Sequence, residues 1–315
     1  MKKSLVFIFM LLFVLFGCSG NDKKSDISNK KDYTKLGKYS VNRYPANGLK
    51  DKYVVYYPKD GIREDMPVVV FLEGGGSEPH IDDYKGVMKF LASKGYYVIG
   101  LEQGETYWSS YGMDILKKAI NEAKSKYSLT LNKIAVLGHS QGGGQNFYIM
   151  KQLQDMGYGS DSSLILSFDA WFAFGMDRSD LAELRGDIVF LQMNGLEGTG
   201  TDPRIELTIW NLASNTNRRF YTLPENNHSY VMGTLNDMIS KKKDLIKIVS
   251  ALTEDSFNNT NAGSKAIKDN LSSYELIKNA LKSEDSYKYG DCAGVQYNAK
   301  NKLKENDIDY CALYE

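Results

Sequence analysis

From residue 52 to about residue 252 the chain alternates short apolar runs with longer amphipathic stretches. Residues 52–57 (KYVVYY), 67–72 (PVVVFL), 96–102 (YYVIGLE), 133–138 (KIAVLG), 163–168 (SLILSF), 187–193 (DIVFLQM) and 218–223 (RRFYTL) have strand length and are rich in β-branched and aromatic residues. The second is apolar at every position, as a strand covered on both faces must be. Between them, residues 84–95, 111–129, 141–157 and 204–214 carry helical periodicity, the first ending on Gly95. Strands that alternate with helices at this spacing predict an α/β fold: a mostly parallel, doubly wound sheet over residues 53–252. Residues 253–264 (TEDSFNNTNAGS) read as a polar linker. A small C-terminal helical appendage follows, with a helix over 265–282 and a tail carrying Cys292 and Cys311.

The N-terminus has a different pattern. Two lysines, an apolar run from Leu5 to Phe16 and then Gly17-Cys18 have the form of a secretory signal, too short to span a bilayer stably. Leu15-Phe16-Gly17-Cys18 resembles the bacterial lipobox, which implies cleavage before Cys18, a lipid on its sulfur, and a membrane-anchored chain at the cell envelope. Residues 18–52 are expected to form a flexible tether and lead-in, because residues 19–32 lack the apolar side chains that offset ordering entropy. With Cys18 set aside, Cys292 and Cys311 remain as an even pair in an exported chain, and we expect them to form a disulfide.

Composition narrows the partners. Thirty-nine Lys and Arg balance thirty-nine Asp and Glu, so no basic field points to nucleic acid. The three histidines are scattered, so no metal or other cofactor is implied. A small-molecule or lipid-like partner fits better.

The candidate chemistry centres on Gly138-His139-Ser140-Gln141-Gly142, placed where a strand turns into a helix. A serine hydroxyl is a weak nucleophile unless a tight turn exposes it beside a base. His139 abuts it and reads as packed or locally bonded; His80 reads as a solvent-exposed loop residue. His228 lies just after the last expected strand, where a loop can swing its imidazole over the elbow, and serves as the candidate base. The acid that orients it must sit at a strand end between the two, and Asp169, Glu197 and Asp202 all qualify on spacing. Backbone donors for an oxyanion are expected from Gln141 and from the glycine turn 71–77 (FLEGGGS), with Gly75 favoured. That turn lacks the lysine of a phosphate-binding loop.

Residues 55–60 (VYYPKD), 67–76 (PVVVFLEGGG), 91–102 (LASKGYYVIGLE), 138–143 (GHSQGG) and 168–175 (FDAWFAFG) resemble the α/β-hydrolase superfamily. Within it they resemble the branch of platelet-activating-factor acetylhydrolases, chlorophyllases and polyester hydrolases. The resemblance implies an α/β-hydrolase fold and a serine esterase that works through an acyl-enzyme. The L-D-A-W segment of the acetylhydrolases transfers the acid role to Asp169, which we take as the expected acid; the polyester hydrolases would favour Asp202. Glu73 departs from the histidine often found before the glycines, and the glycine-rich insertion around Gly198 and Gly200 has no counterpart. Trp108, Trp171 and Phe172 are candidates for an apolar wall that takes a short or medium acyl or aryl group. A hydrolase-fold lipoprotein retained only for binding, or a peptidase or thioesterase on the same scaffold, is the alternative.

Overall fold

The computed structural model describes residues 31–75, 80–103, 109–193, 201–223, 227–267, 275, 278 and 307–311. In chain order it has strands β1 (Val41–Tyr44), β2 (Tyr53–Pro58) and β3 (Val68–Leu72), then a 3-10 turn (Ile81–Tyr84) that leads into helix α1 (Lys85–Ser93). Next come β4 (Tyr97–Leu101), α2 (Ser109–Tyr127), β5 (Lys133–His139), α3 (Gln141–Asp155), β6 (Ser162–Phe168) and α4 (Arg178–Glu183). The remainder is β7 (Asp187–Gln192), α5 (Pro203–Leu212), β8 (Asn217–Thr222), α6 (Leu235–Ser240), α7 (Lys243–Asn258) and α8 (Ala262–Ile267). The strands form one eight-stranded sheet in the order β1-β2-β4-β3-β5-β6-β7-β8. Only β2 runs against its neighbours; every other pairing is parallel. Among the described residues no helix is long and apolar enough to cross a membrane.

The alternation of strand side chains divides the interior into two cores, one on each face of the sheet. Val68, Val70, Ile134, Val136, Ile188 and Phe190 point to the face covered by α2, α3, α4 and α5. Val69, Phe71, Ala135, Leu137, Val189 and Leu191 point to the face covered by α1, α6 and α7. Parallel register then sets the strand ends beside one another: Leu72 pairs with Gly138, His139 with Phe168, and Phe168 with Leu191. The loops after β3, β5, β6 and β7 therefore leave the sheet along one edge, as a switch in crossover direction requires for a site.

Three boundary expectations change. The lead-in holds a strand the pattern did not mark, Val41–Tyr44, which pairs with β2, and Tyr33 before it is buried. This edge strand has no apolar alternation to read, since each of its four positions is half-buried. The expected linker at 253–264 is in large part α7, which runs through Leu252 to Asn258 and seats Phe257 against Tyr96. Its polar residues are consumed locally: Asp255 accepts from the N–H groups of Gly263 and Ser264 and from both the Ser264 and Thr260 hydroxyls. Finally, residues 307–311, within the expected tail, pack on the sheet domain. Tyr310 is buried against Phe172, its hydroxyl accepts from Ala173 N–H, and Asp307 accepts from Arg178 N–H. Cys311 is disulfide-bonded, while Cys292 lies outside the described residues.

Candidate active site

Ser140 occupies the turn between β5 and α3 with φ 53° and ψ −115°, a conformation that costs a non-glycine residue about 1–3 kcal/mol. Three backbone hydrogen bonds hold it there. Ser140 N–H donates to Phe168 O, and Ser140 O accepts from the N–H groups of Trp171 and Gly144 at 2.9 and 3.0 Å. The flanking glycines explain how the helix can start so close to the sheet. A Cβ at Gly142 would lie 2.2 Å from Glu73 O and 2.6 Å from Leu72 O, and one at Gly138 would meet Gly142 O at 2.5 Å. In the first turn of α3, Gly142 weakens the helix by about 1 kcal/mol relative to alanine, and close packing offsets that loss.

Of the three acid candidates, one meets the imidazole. Asp169 is completely buried, with Oδ2 3.0 Å from His228 Nδ1 and Oδ1 accepting from Met193 N–H at 2.6 Å. Like Ser140 it has a positive φ, 45°, just past the end of its strand. Burial pushes its carboxyl above the ordinary range, and the bonds to His228 and Met193 pull in the opposite direction. Asp202 instead caps α5 through Arg204 N–H and forms a buried ion pair with the Arg204 guanidinium, Oδ2 to Nε 2.9 Å. Its carboxylate is thus committed away from His228. Glu197, Gly198 and Gly200 lie outside the described residues.

The turn after β3 supplies the rest. Gly74 N–H is already engaged, donating to Tyr84 Oη at 3.0 Å, which leaves Gly75 as the candidate oxyanion donor. Gly75 adjoins Gln141 so tightly that a Cβ there would fall 1.7 Å from Gln141 Oε1. Gln141 opens α3, a fifteen-residue helix, and its N–H belongs to the first turn, whose amides face outward from the positive end of the helix. Glu73 is buried and accepts from Gln103 N–H at 2.8 Å, tying the glycine turn to the end of β4. That is a positional role for the residue that stands where a histidine was expected.

The remaining candidates separate. Trp171 is half-buried two residues after Asp169, its ring 5.4 Å from that of Phe172. Phe172 itself is 1% exposed and packs on Tyr310 at 5.2 Å, so it belongs to the core and not to a wall of the site. Trp108 and Cys18 lie outside the described residues. His80 is exposed, with Nδ1 3.7 Å from a Glu102 carboxylate oxygen. His139 is buried as expected, and its ring centroid is 4.4 Å from that of His228.

Two participants escaped the sequence reading. Glu206 on α5 is fully buried and accepts from Ala170 N–H at 2.6 Å, on the peptide that follows Asp169. Burial, and then the charge of Asp169, push its carboxyl well above the ordinary range and favour the protonated form. A signal existed: at helical spacing Glu206 falls between Ile209 and Trp210, on the side of the helix opposite its polar stripe of Arg204, Thr208 and Asn211. The other is Tyr84, whose partner His139 is 55 positions away, and nothing local marks it. No protein-family model matches this chain, and no curated protein matches it either.

Proposed function

We propose that the protein is a serine ester hydrolase of the α/β-hydrolase type that acts through an acyl-enzyme. The observation that carries this reading is the 3.0 Å contact between Asp169 and His228 Nδ1, together with a serine held in a strained turn at the head of a helix and next in the chain to His139, whose ring lies 4.4 Å from that of His228. An imidazole bonded to a carboxylate through Nδ1 has Nε2 as its exchangeable nitrogen. An eight-stranded, mostly parallel sheet with the elbow after a central strand supports the same reading.

Ser140 Oγ attacks the ester carbonyl while His228 Nε2 takes its proton, and Asp169 holds the imidazole in the required tautomer and stabilises its cation. The N–H groups of Gly75 and Gln141 receive the oxyanion, where each such donor contributes about 2.7–4 kcal/mol of transition-state stabilisation. His228 then returns the proton to the leaving alcohol. Water, activated by the same imidazole, releases the acyl group, and Ser140 is regenerated. Trp171 forms one wall for a short or medium acyl or aryl group. Cys18 carries a lipid that anchors the enzyme at the cell envelope, and Cys292 is the disulfide partner of Cys311.

The test is hydrolysis of p-nitrophenyl esters of increasing acyl length by the full-length chain in mild detergent, together with labelling by a fluorophosphonate. Wild type is expected to turn over the short esters and take the label, and Ser140→Ala to do neither. Equal hydrolysis by Ser140→Ala, or a folded wild type inert to both reagents, would overturn the proposal.

A further inference from the structure

The triad uses one of the two histidines at the elbow and leaves His139 unexplained. His139 is 1% exposed, and both of its ring nitrogens are engaged. Nδ1 lies 2.8 Å from Tyr84 Oη, and Nε2 lies 2.7 Å from the main-chain oxygen of His228. The proton positions follow from donor and acceptor chemistry. A carbonyl oxygen can only accept, so His139 Nε2 bears the hydrogen. In the uncharged ring Nδ1 is then an acceptor, and the Tyr84 hydroxyl must donate to it. The Tyr84 oxygen in turn accepts from Gly74 N–H at 3.0 Å.

Every bond therefore points the same way, from the Gly74 amide through Tyr84 and His139 to the His228 carbonyl. The site is built for this arrangement. A Cβ at Gly74 would stand 2.9 Å from His139 Nδ1 and 3.1 Å from Tyr84 Oη, so only a residue without a side chain leaves room for the Tyr84–His139 bond. Burial, followed by the proximity of His228, holds His139 well below the ordinary histidine range and keeps the ring uncharged. Packing alone would need none of these matched donors and acceptors.

We propose that His139 is a positioning residue that fixes the main chain of His228 through Nε2–H, while Tyr84 selects its tautomer as Asp169 selects that of His228. The base is then held twice, at its ring by Asp169 and at its carbonyl by His139, and it is tied to the glycine turn that supplies Gly75. The kinetic consequence rests on the ester-hydrolase reading; the hydrogen-bond chain does not. A displacement of about 1 Å at a reacting group costs on the order of 10²-fold in rate, which sets the expected effect.

The experiment uses the full-length chain and three substitutions. His139→Gln keeps an N–H donor near the Nε2 position and can reach the His228 carbonyl. His139→Asn places its amide near the Nδ1 position and can reach only Tyr84, and His139→Leu bonds to neither. With p-nitrophenyl acetate, and activity normalised to sites titrated by fluorophosphonate, His139→Gln is expected within about threefold of wild-type kcat. His139→Asn and His139→Leu are expected to fall on the order of 10²-fold in kcat with KM altered less than about threefold. Nitrogen-15 NMR of wild type is expected to show His139 uncharged and protonated at Nε2, and the His228 ring resonances to shift in His139→Asn but not in His139→Gln. Equal losses in all three variants, equal retention in all three, or an Nδ1–H tautomer in wild type would overturn the proposal. If wild type neither hydrolyses the ester nor takes the label, the ester-hydrolase reading fails alone, and the NMR results still decide the role of His139.

Discussion

Replacing Asp169 by asparagine tests the acid assignment sharply, because the second hydrogen bond of this carboxylate dictates how the new amide must sit. Met193 N–H donates to Oδ1 at 2.6 Å, and this N–H requires an acceptor. The introduced amide must therefore turn its oxygen to Met193, which directs its NH₂ group toward His228 Nδ1. The imidazole is left with Nδ1 as acceptor and its proton on Nε2, where it cannot accept the hydroxyl proton of Ser140. A wrong tautomer of this kind lowers kcat by about 10⁴-fold, equivalent to about 5.5 kcal/mol of activation free energy. The fold should tolerate the change, since the amide is close in size to the carboxyl and removes a fully buried charge. The assay is kcat for p-nitrophenyl acetate, with a thermal melt as control and Asp202→Asn in parallel. Asp202→Asn breaks a buried ion pair with Arg204 and is expected to destabilise by about 3–5 kcal/mol while leaving kcat of the folded protein within about threefold. A folded Asp169→Asn with kcat within tenfold of wild type, or an Asp202→Asn that melts normally yet loses about 10⁴-fold, would refute the reasoning.

Glu206→Gln should weaken the decline of stability with rising pH: Glu206 ionises at about 4.3 when unfolded and well above 4.5 when folded. Across that window the folded state retains a proton that the unfolded state has lost. Its contribution is complete below about pH 4.3 and is lost as pH rises through the folded value, at up to about 1.4 kcal/mol per unit. Denaturant unfolding of both proteins from pH 4 to 9 measures this, and parallel curves would exclude it. Gly142→Ala forces a methyl group into the Leu72 and Glu73 carbonyls and should cost about 1–3 kcal/mol by chemical denaturation, with reduced fluorophosphonate labelling. Tyr310→Ala opens a cavity against Phe172 and should destabilise by about 3–5 kcal/mol; an unchanged unfolding midpoint would show that the tail does not support the fold.

Period and spacing alone placed the strands from β2 to β8 and the elbow serine; the signal is plainest for the central strands β3 to β7, because a parallel strand covered on both faces must be apolar and the flanking helices must be amphipathic. Signals with that physical cause are local and survive in one dimension. The edge strand β1 is half-buried at every position and leaves no such trace. The end of α7 misleads for the opposite reason, since Thr253, Asp255 and Ser256 are buried while engaged by hydrogen bonds or close packing. Composition records polarity but not the partner that makes burial possible.

Period and spacing could not choose the acid, and only the resemblance of residues 168–175 favoured Asp169. Asp169 and Asp202 both follow strands on the same sheet edge, and they part only because Arg204 claims one and His228 reaches the other. The same holds for Tyr84, His139 and Glu206, whose partners are brought within bonding distance by strand register and helix packing. The sequence by itself determined the layered α/β plan, the strained serine turn and the set of residues able to act. The tertiary structure decided which of them meet, because a hydrogen bond depends on separations of a few ångströms that chain spacing does not encode.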